Sequence, residues 1–327
     1  MTFKALLLEN QPAFSARVAD VDQAALPEGE VLIRVSHSTL NYKDALAIGN
    51  TSPIVRAWPM VAGIDAAGVV ESSASPDFRP GDAVVVNGWG QGESRWGGLG
   101  QYARVPADWP VKLPAPYGPF EAAAVGTAGY TAALCVQALE KHGIKPEDGP
   151  ILVTGATGGV GSIAALLLAR AGFQVLAVTG KAAEADYLRR LGAAEVMARA
   201  EFSAPGKPLQ KERFAGVVDT LGSHALANAC AQVKRNGAVA ACGLAMGMDF
   251  PASVAPFILR GVTLYGIDSV YASRARRESA WALLAERIAP ADLAGIVKVI
   301  GLSACIPAAE EILAGKMAGR YVVDVDR

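Results

Sequence analysis

The stretch VTGATGGVGS, from Val153 to Ser162, sets Gly155, Gly158, Gly159 and Gly161 between a β-branched run and one rich in alanine and leucine. That order reads as strand, glycine turn, helix. Glycines let the main chain approach a pyrophosphate, and a helix start offers N–H groups and the positive end of a dipole. The chemistry implied is dinucleotide binding, with Thr157, Gly158, Gly159 and Val160 as the cradle. The competing reading is a glycine-rich turn that holds nothing; the strand before it and helix after it weigh against that. The next strand, VLAVT, runs into Thr179, Gly180 and Lys181. Sites for NAD usually carry Asp or Glu there, to hold the ribose 2′-hydroxyl. Here Glu184 already falls in the following helix. A hydroxyl, a glycine N–H and an ammonium suit a 2′-phosphate, so these residues favour NADPH, with Arg199 as a second positive charge. Lys181 as a solvated surface lysine is the alternative.

A cradle at mid-chain needs something before it. The first 120 or so residues are rich in Val, Gly and Pro, with short runs such as EVLIRVSHS, GVVESS and DAVVVNG between the turns PEGE, FRPGD and LPAPYGP. This predicts a β-rich, Greek-key or barrel-like domain. A helical stretch, PFEAAAVGTAGYTAALCVQALEKHG, follows. From Ile151 strands alternate with helices, the last helix of this part being HALANACAQVKRNG. Such alternation predicts a doubly wound parallel sheet. An arginine-rich helix and a tail ending in GRYVVDVDR close the chain. The fold class is therefore α/β. Residues 1–121 form the β-rich domain and 122–268 the dinucleotide domain. Residues 269–327 return to the first, and the substrate is expected in the cleft between the two domains.

Bulk properties bound the partners. The 327 residues carry a net charge of −1, which points to neither nucleic acid nor an anionic membrane, though local Arg and Lys still suit a small anion. Cys135, Cys230, Cys242 and Cys305 are scattered, with no CxxC, against a zinc site or a disulfide framework and in keeping with a reducing cytosol. No stretch reads as a signal peptide or a membrane span; IAALLLARAG is one amphipathic helix long.

Two oxidoreductase families use such cradles. Short-chain reductases match TGATGGVG as a string, but carry it near the N-terminus and need Tyr-x-x-x-Lys. None of the eight tyrosines here has Lys four positions later. Medium-chain reductases put a GroES-like β domain first, and the chain resembles these over its length. Where their zinc members carry Gly-His-Glu it reads GIDAAG, Gly63–Gly68, with Ile64 and Asp65 in place of the metal-binding pair. His37, His142 and His224 are widely spaced and read as structural or surface residues. Without a Lewis acid, reduction of a polarised C=C bond is easier to explain than oxidation of an alcohol.

The segments LNYKDALAI, GIDAAG, NGWGQGESRWGGLGQYARV, GTAGYTAALCV, GATGGVGS, ACGLA, PFILRGV and GIDSV, in this order, resemble the acryloyl-CoA reductase branch of the quinone-oxidoreductase-like, zinc-free medium-chain family. The resemblance implies NADPH-dependent reduction of acryloyl-CoA to propionyl-CoA by a cytoplasmic homodimer. A broader NADPH:quinone oxidoreductase is the first alternative, and an NADPH-sensing or structural relative without turnover the second. It implies that Tyr42 faces the nicotinamide and touches the cofactor, and that Ile258 and Ser269 lie near the nicotinamide. Leu244 sits in the loop after AVAACG, where strand ends face the ligand. Tyr42 either donates its proton to the substrate or packs at the domain boundary. Lys43 either holds an anionic group or pairs with Asp44 or another acid. Arg320 contacts the cofactor, guards the cleft, or is a surface arginine. The loop GWGQGESRWGGLG lines the cleft or anchors the barrel wall. Arg56, Arg95, Arg274, Arg276 and Arg277 are candidates for the phosphates of coenzyme A. The edge strand VTLYGIDSV is a candidate dimer seam.

Overall fold

A computed structural model describes residues 1–327, which divide into two compact units. The first comprises Met1–Thr127, Val270–Ala285 and Ala289–Arg327; the second comprises Ala128–Ser269 and Glu286–Ile288. The boundary falls at Thr127, later than the 121/122 junction expected. The reason is local. The helix Pro119–His142 is broken at Gly126 (φ 51°, ψ −165°), and the chain changes unit just past the break. This helix, not the one at IAALLLARAG, is long and apolar enough to cross a membrane, but 83% of its apolar window is buried inside the protein.

In the first unit, β1 (Thr2–Asn10), β2 (Phe14–Asp22) and β4 (Met60–Val61) make one sheet. The other holds β3 (Val31–Leu40), β5 (Asp65–Ser73), β6 (Ala83–Asn87), β7 (Tyr102–Val105) and β8 (Val111–Lys112). Two late strands complete it, here β15 (Val297–Gly301) and β16 (Arg320–Asp324), in the order β15-β16-β3-β5-β6-β8 with β7 also on β3. Alternation does the sorting. Val31, Ile33 and Val35 of β3 point into a core with Leu6, Leu8, Val84 and Val86. The tail expected to have β character is β16, whose Tyr321 and Val323 enter the same core.

Register is what builds the site. β16 runs antiparallel to β3 with Tyr321 opposite Leu40, which sets Arg320 beside Asn41. β5 pairs β6 with Asp65 opposite Asn87. β3 then hands the chain to the helix Tyr42–Ile48.

The second unit is a six-stranded parallel sheet of β9 (Ile151–Val153), β10 (Val175–Thr179), β11 (Ala193–Ala198), β12 (Phe214–Asp219), β13 (Val233–Ala241) and β14 (Thr263–Gly266). The order is β11-β10-β9-β12-β13-β14. It reverses between β9 and β12, and in open parallel sheets ligands bind outside the strand ends at such a switch point. Leu152, Val178, Val217 and Val239 fill the core beside Phe202 and Phe214. One expectation is corrected. The helix over HALANACAQVKRNG stops at Gln232, and VKRNG opens β13, because β-branched Val233 pairs with Phe214 in the sheet.

Gly126 is the strictest backbone requirement near the site. A Cβ there would lie 2.3 Å from the Arg320 guanidinium and 2.9 Å from the Asp65 carboxylate, on a left-handed φ. Replacement Gly126→Ala is expected to cost about 2–3 kcal/mol and lower the melting midpoint by about 4–10 °C, measured by calorimetry. Gly295→Ala, where a Cβ meets nothing within 4 Å, is the control that leaves the midpoint unchanged. Equal midpoints for the two variants would refute the account.

Candidate active site and dinucleotide site

Asp65 is the hub of the first unit's polar interior. It is 2% exposed, and its carboxylate accepts from four residues. Thr39 donates through Oγ1, Asn41 through Nδ2 at 2.9 Å, and Asn87 through Nδ2 at 2.7 Å. Thr127 donates through its backbone N–H at 3.0 Å and its hydroxyl at 2.5 Å. These donors arrive from the end of β3, the helix cap, β6 and the residue after the broken turn. In zinc relatives the corresponding motif supplies metal ligands; here the lone pairs of Asp65 are taken by protein donors. No three His, Cys, Asp or Glu side chains converge to hold a metal. His37 bonds Ser36 and packs edge-on against Phe120, and His142 bonds Tyr265 and the Asn236 carbonyl.

Asn41 ties this hub to a second buried acid. Its Nδ2 also reaches Asp44 at 3.0 Å, and its backbone N–H donates to the same carboxylate at 2.8 Å. Asp44 accepts the Ile64 N–H at 2.9 Å as well. An Asn before a helix with Asp three residues on is a helix-start signature, and NYKD carries it. Burial, then the nearby charge of Asp65, pushes Asp44 up to about 7.

Tyr42 is the first residue of that helix and is 48% exposed. Lys43 has an acid partner, and it is Glu93 at 2.7 Å rather than Asp44. Arg320 is not a surface arginine: it is buried, its Nη1 donating to Asn41 at 3.0 Å and its Nε to the Ala124 carbonyl at 3.2 Å. The cause is its position at the start of a strand paired into the sheet. The glycine-rich loop is a packed turn. Trp89 stacks on Trp109 at 5.7 Å, and Trp96 donates to the Pro59 carbonyl at 3.0 Å.

In the second unit the cradle has the expected form. The helix starts at Gly159, one residue before the expected Val160. A Cβ on Gly161 would fall 2.4 Å from the Gly155 carbonyl oxygen, so the turn and helix start touch only because Gly161 lacks a side chain. Asp219 ends β12 buried, accepting from Thr154 Oγ1 at 2.7 Å and the Gly222 N–H at 2.8 Å. Burial raises it to about 6. It fastens the turn after β9 to the loop after β12, a link sequence reasoning missed.

Thr179 shares a hydrogen bond with Thr157 at 3.1 Å and accepts the Lys181 N–H at 3.0 Å. Arg199 follows β11, donates its N–H to the Thr179 carbonyl at 2.8 Å, and lays its guanidinium 2.8 Å from where a Gly180 Cβ would be. Burial pulls Lys181 below the usual lysine range, Glu184 opposing and Arg199 adding to the shift. Thr179, Gly180, Arg199, Arg189 and Ser203 line a cavity of about 680 Å³. Two cations held this close suit a dianionic phosphate. Arg189 and Ser203 were missed; Arg189 sits on the helix that follows β10, held by Asp186 at 2.7 Å.

The structure thus brings together Thr157, Gly158, Gly159, Val160, Thr179, Gly180, Lys181 and Arg199 at the strand ends. Leu244 follows β13, Ile258 lies on the helix Ala255–Arg260, and Ser269 follows β14; Leu244 and Ile258 are exposed. A GroES-like β unit and a Rossmann unit in one chain define a medium-chain dehydrogenase/reductase.

The comparisons sharpen this. Residues 27–115 match the alcohol dehydrogenase GroES-like domain, and 159–286 match the zinc-binding dehydrogenase domain, although the residues here make no zinc site. The chain is 47% identical, over 99% of its length, to a probable acrylyl-CoA reductase of Escherichia coli, covering 100% of it. It is also 47% identical to an acrylyl-CoA reductase of Ruegeria pomeroyi, covering 99% of each chain. The Salmonella enterica yhdH oxidoreductase, solved with NADP, superposes with TM-score 0.97 at 46% identity over 98% of this chain and 99% of that one. Bacillus subtilis yhfP, solved with NAD, superposes at 0.95 with 43% identity over 99% and 100%. The chain belongs to the acrylyl-CoA reductase family of medium-chain reductases.

The raised Asp44 makes a pH prediction. Its folded value exceeds the unfolded 3.8, so the stability it contributes is full below about 4 and is lost as pH rises through about 7. Asp44→Asn removes one acceptor at a constant cost of about 1–3 kcal/mol but does not titrate. The stability gap between native protein and variant is therefore expected to narrow from pH 5 to pH 8 in urea titrations. A constant gap would rule out the raised value.

Proposed function

We propose that this protein reduces the C=C bond of acryloyl-CoA to give propionyl-CoA, with NADPH and without a metal. The single observation that carries the substrate is the full-length match to two acrylyl-CoA reductases. The cofactor reading rests on Arg199 over Gly180 and on Lys181 next to it in sequence, with no acid at the end of β10. Bound NADPH supplies the hydride that adds to the β-carbon of the enoyl thioester.

The residues of the chain do the rest. The glycine cradle and helix start hold the pyrophosphate. Lys181, Arg199 and the Gly180 N–H take the 2′-phosphate, while Thr179 and Thr157 brace the turn beneath. Leu244, Ile258, Ser269 and Arg320 complete the proposed cofactor set, Arg320 through Asn41 and the helix start rather than from the surface. As the thioester oxygen gains charge it needs a donor, and we assign that role and the protonation to the exposed Tyr42. The Lys43–Glu93 pair and the Asn41–Asp44–Asp65 set hold the helix that carries it.

We place the enzyme in the cytoplasm, where four free thiols persist, and we propose a homodimer. β14 is an edge strand of the sheet, and Leu244, Met248, Phe250, Val254, Ile258 and Leu259 are exposed apolar residues in the segment before it. Sedimentation velocity at micromolar concentration is expected to give twice the 33.8 kDa chain mass; a monomer there would remove the dimer.

NADPH oxidation with acryloyl-CoA, crotonyl-CoA and a quinone tests the activity. Fast turnover of acryloyl-CoA with NADPH and little with NADH is expected. Arg199→Ala should raise KM for NADPH roughly tenfold and leave NADH unaffected, a loss of about 1.4 kcal/mol. Tyr42→Phe should lower kcat by about 10²-fold. Turnover of the quinone alone would overturn the substrate, and equal use of NADH would overturn the cofactor.

A further inference from the structure

The structure separates the five arginines that the sequence offers to a phosphorylated handle. Arg277 is fully committed: it is buried, it donates to the carbonyls of Asn87, Val270 and Ala272 at 2.6, 2.6 and 2.9 Å, and it stacks on Trp89. Arg274 pairs with Glu278 at 2.9 Å and Asp77 at 3.6 Å and lies over Phe78. Arg276 is exposed on the same helix and likewise makes no ion pair, but no hydrogen bond ties it to the Lys43–Glu93 pair beside Tyr42.

Arg56 and Arg95 are placed differently. Both are exposed, and neither has an acid within ion-pair distance. A backbone bond joins their segments, the Arg56 N–H donating to the Glu93 carbonyl at 2.7 Å, two residues before Arg95. Neither 51–62 nor 88–98 contains another acid besides Glu93. Its carboxylate is already taken by Lys43 at 2.7 Å, next in sequence to Tyr42. Three cations therefore share one carboxylate, a surplus of two positive charges on a chain whose net charge is −1. A stability role explains paired arginines; it does not explain two unpaired ones on adjoining segments beside a pair that is already neutral.

We infer that Arg56 and Arg95 form the subsite for the phosphate groups of the coenzyme A handle, a reading that rests on the acyl-CoA assignment above. Guanidinium groups bind phosphate oxygens through charge-assisted, often bidentate hydrogen bonds. The handle carries a diphosphate and a 3′-phosphate, separated from the reacting carbons by the pantetheine arm. Positive charge beside the Tyr42 segment then serves recognition rather than chemistry.

The test compares substrates with and without phosphates. The double variant Arg56→Gln/Arg95→Gln is expected to raise KM for acryloyl-CoA by roughly a hundredfold, about tenfold per arginine. KM for NADPH should stay unchanged, as should kcat/KM for the acryloyl thioester of N-acetylcysteamine, which has no phosphate. The salt dependence of KM for acryloyl-CoA should weaken too. An unchanged KM for acryloyl-CoA, or an equal loss on the truncated thioester, overturns the subsite while the function stands. A rise confined to NADPH assigns the arginines to that cofactor and also overturns it. If the native enzyme does not reduce acryloyl-CoA, the functional reading falls on its own. Calorimetric binding of free coenzyme A then decides the subsite: tighter binding to the native protein than to the double variant upholds it, and equal or absent binding ends it.

Discussion

A buried carboxylate costs several kcal/mol unless its oxygens are fully bonded, and the first unit is arranged around meeting that demand at Asp65. Thr39 and Asn41, two residues apart, Asn87 and Thr127 come from three separate segments to do so. Each is held by something larger: Asn87 by the β5–β6 register, Thr39 by the end of β3, Thr127 by the turn that only Gly126 permits. Asn41 is the shared member. It bonds Asp65, Asp44 and Arg320 at once, so the helix start that presents Tyr42 cannot shift without unbonding two acids. Orientation of an exposed tyrosine is thus supplied by a largely buried set beneath it.

The second unit solves a different problem with backbone rather than side chains. The missing Cβ at Gly161 lets turn and helix meet, the one at Gly155 leaves room for Thr220, and the Thr154–Asp219 bond fixes the neighbouring loop. Phosphate recognition at a helix start needs rigid N–H groups, and in the proposed reading the charge for a 2′-phosphate is added separately by Lys181 and Arg199. Cofactor choice can therefore vary in this family without disturbing the cradle, in keeping with relatives solved with NADP and with NAD.

How much was legible follows from how local each signal is. The cradle, the alternating strands and the lysine at the end of β10 are written within a few consecutive residues, and the sequence displays them. The parallel sheet follows from periodicity alone. The Asp65 set is not local: Asn41 and Arg320 lie 279 residues apart and meet only through the β3–β16 register. For the same reason the sequence leaves Arg320 open between a cofactor contact, a guard of the cleft and a surface arginine, and only the fold shows it buried. Lys43 had two candidate partners one residue away and elsewhere, and only the packed loop selects Glu93. Sequence also ran the helix through VKRNG, because turn-forming Asn and Gly there mask a strand start at Val233 that is set by pairing with Phe214.

The strand β16 also fixes a chronology. The chain is made from its N-terminus, and every strand of the dinucleotide sheet is complete by Gly266. The first unit, although it begins the chain, lacks its partner for the open side of β3 until residues 320–324 have been synthesised. The half made first is thus the half finished last. Through most of synthesis the buried acids beneath Tyr42 have no Arg320 behind Asn41, so a chain stopped before β16 holds every strand of the parallel sheet and lacks one that the first unit is built on.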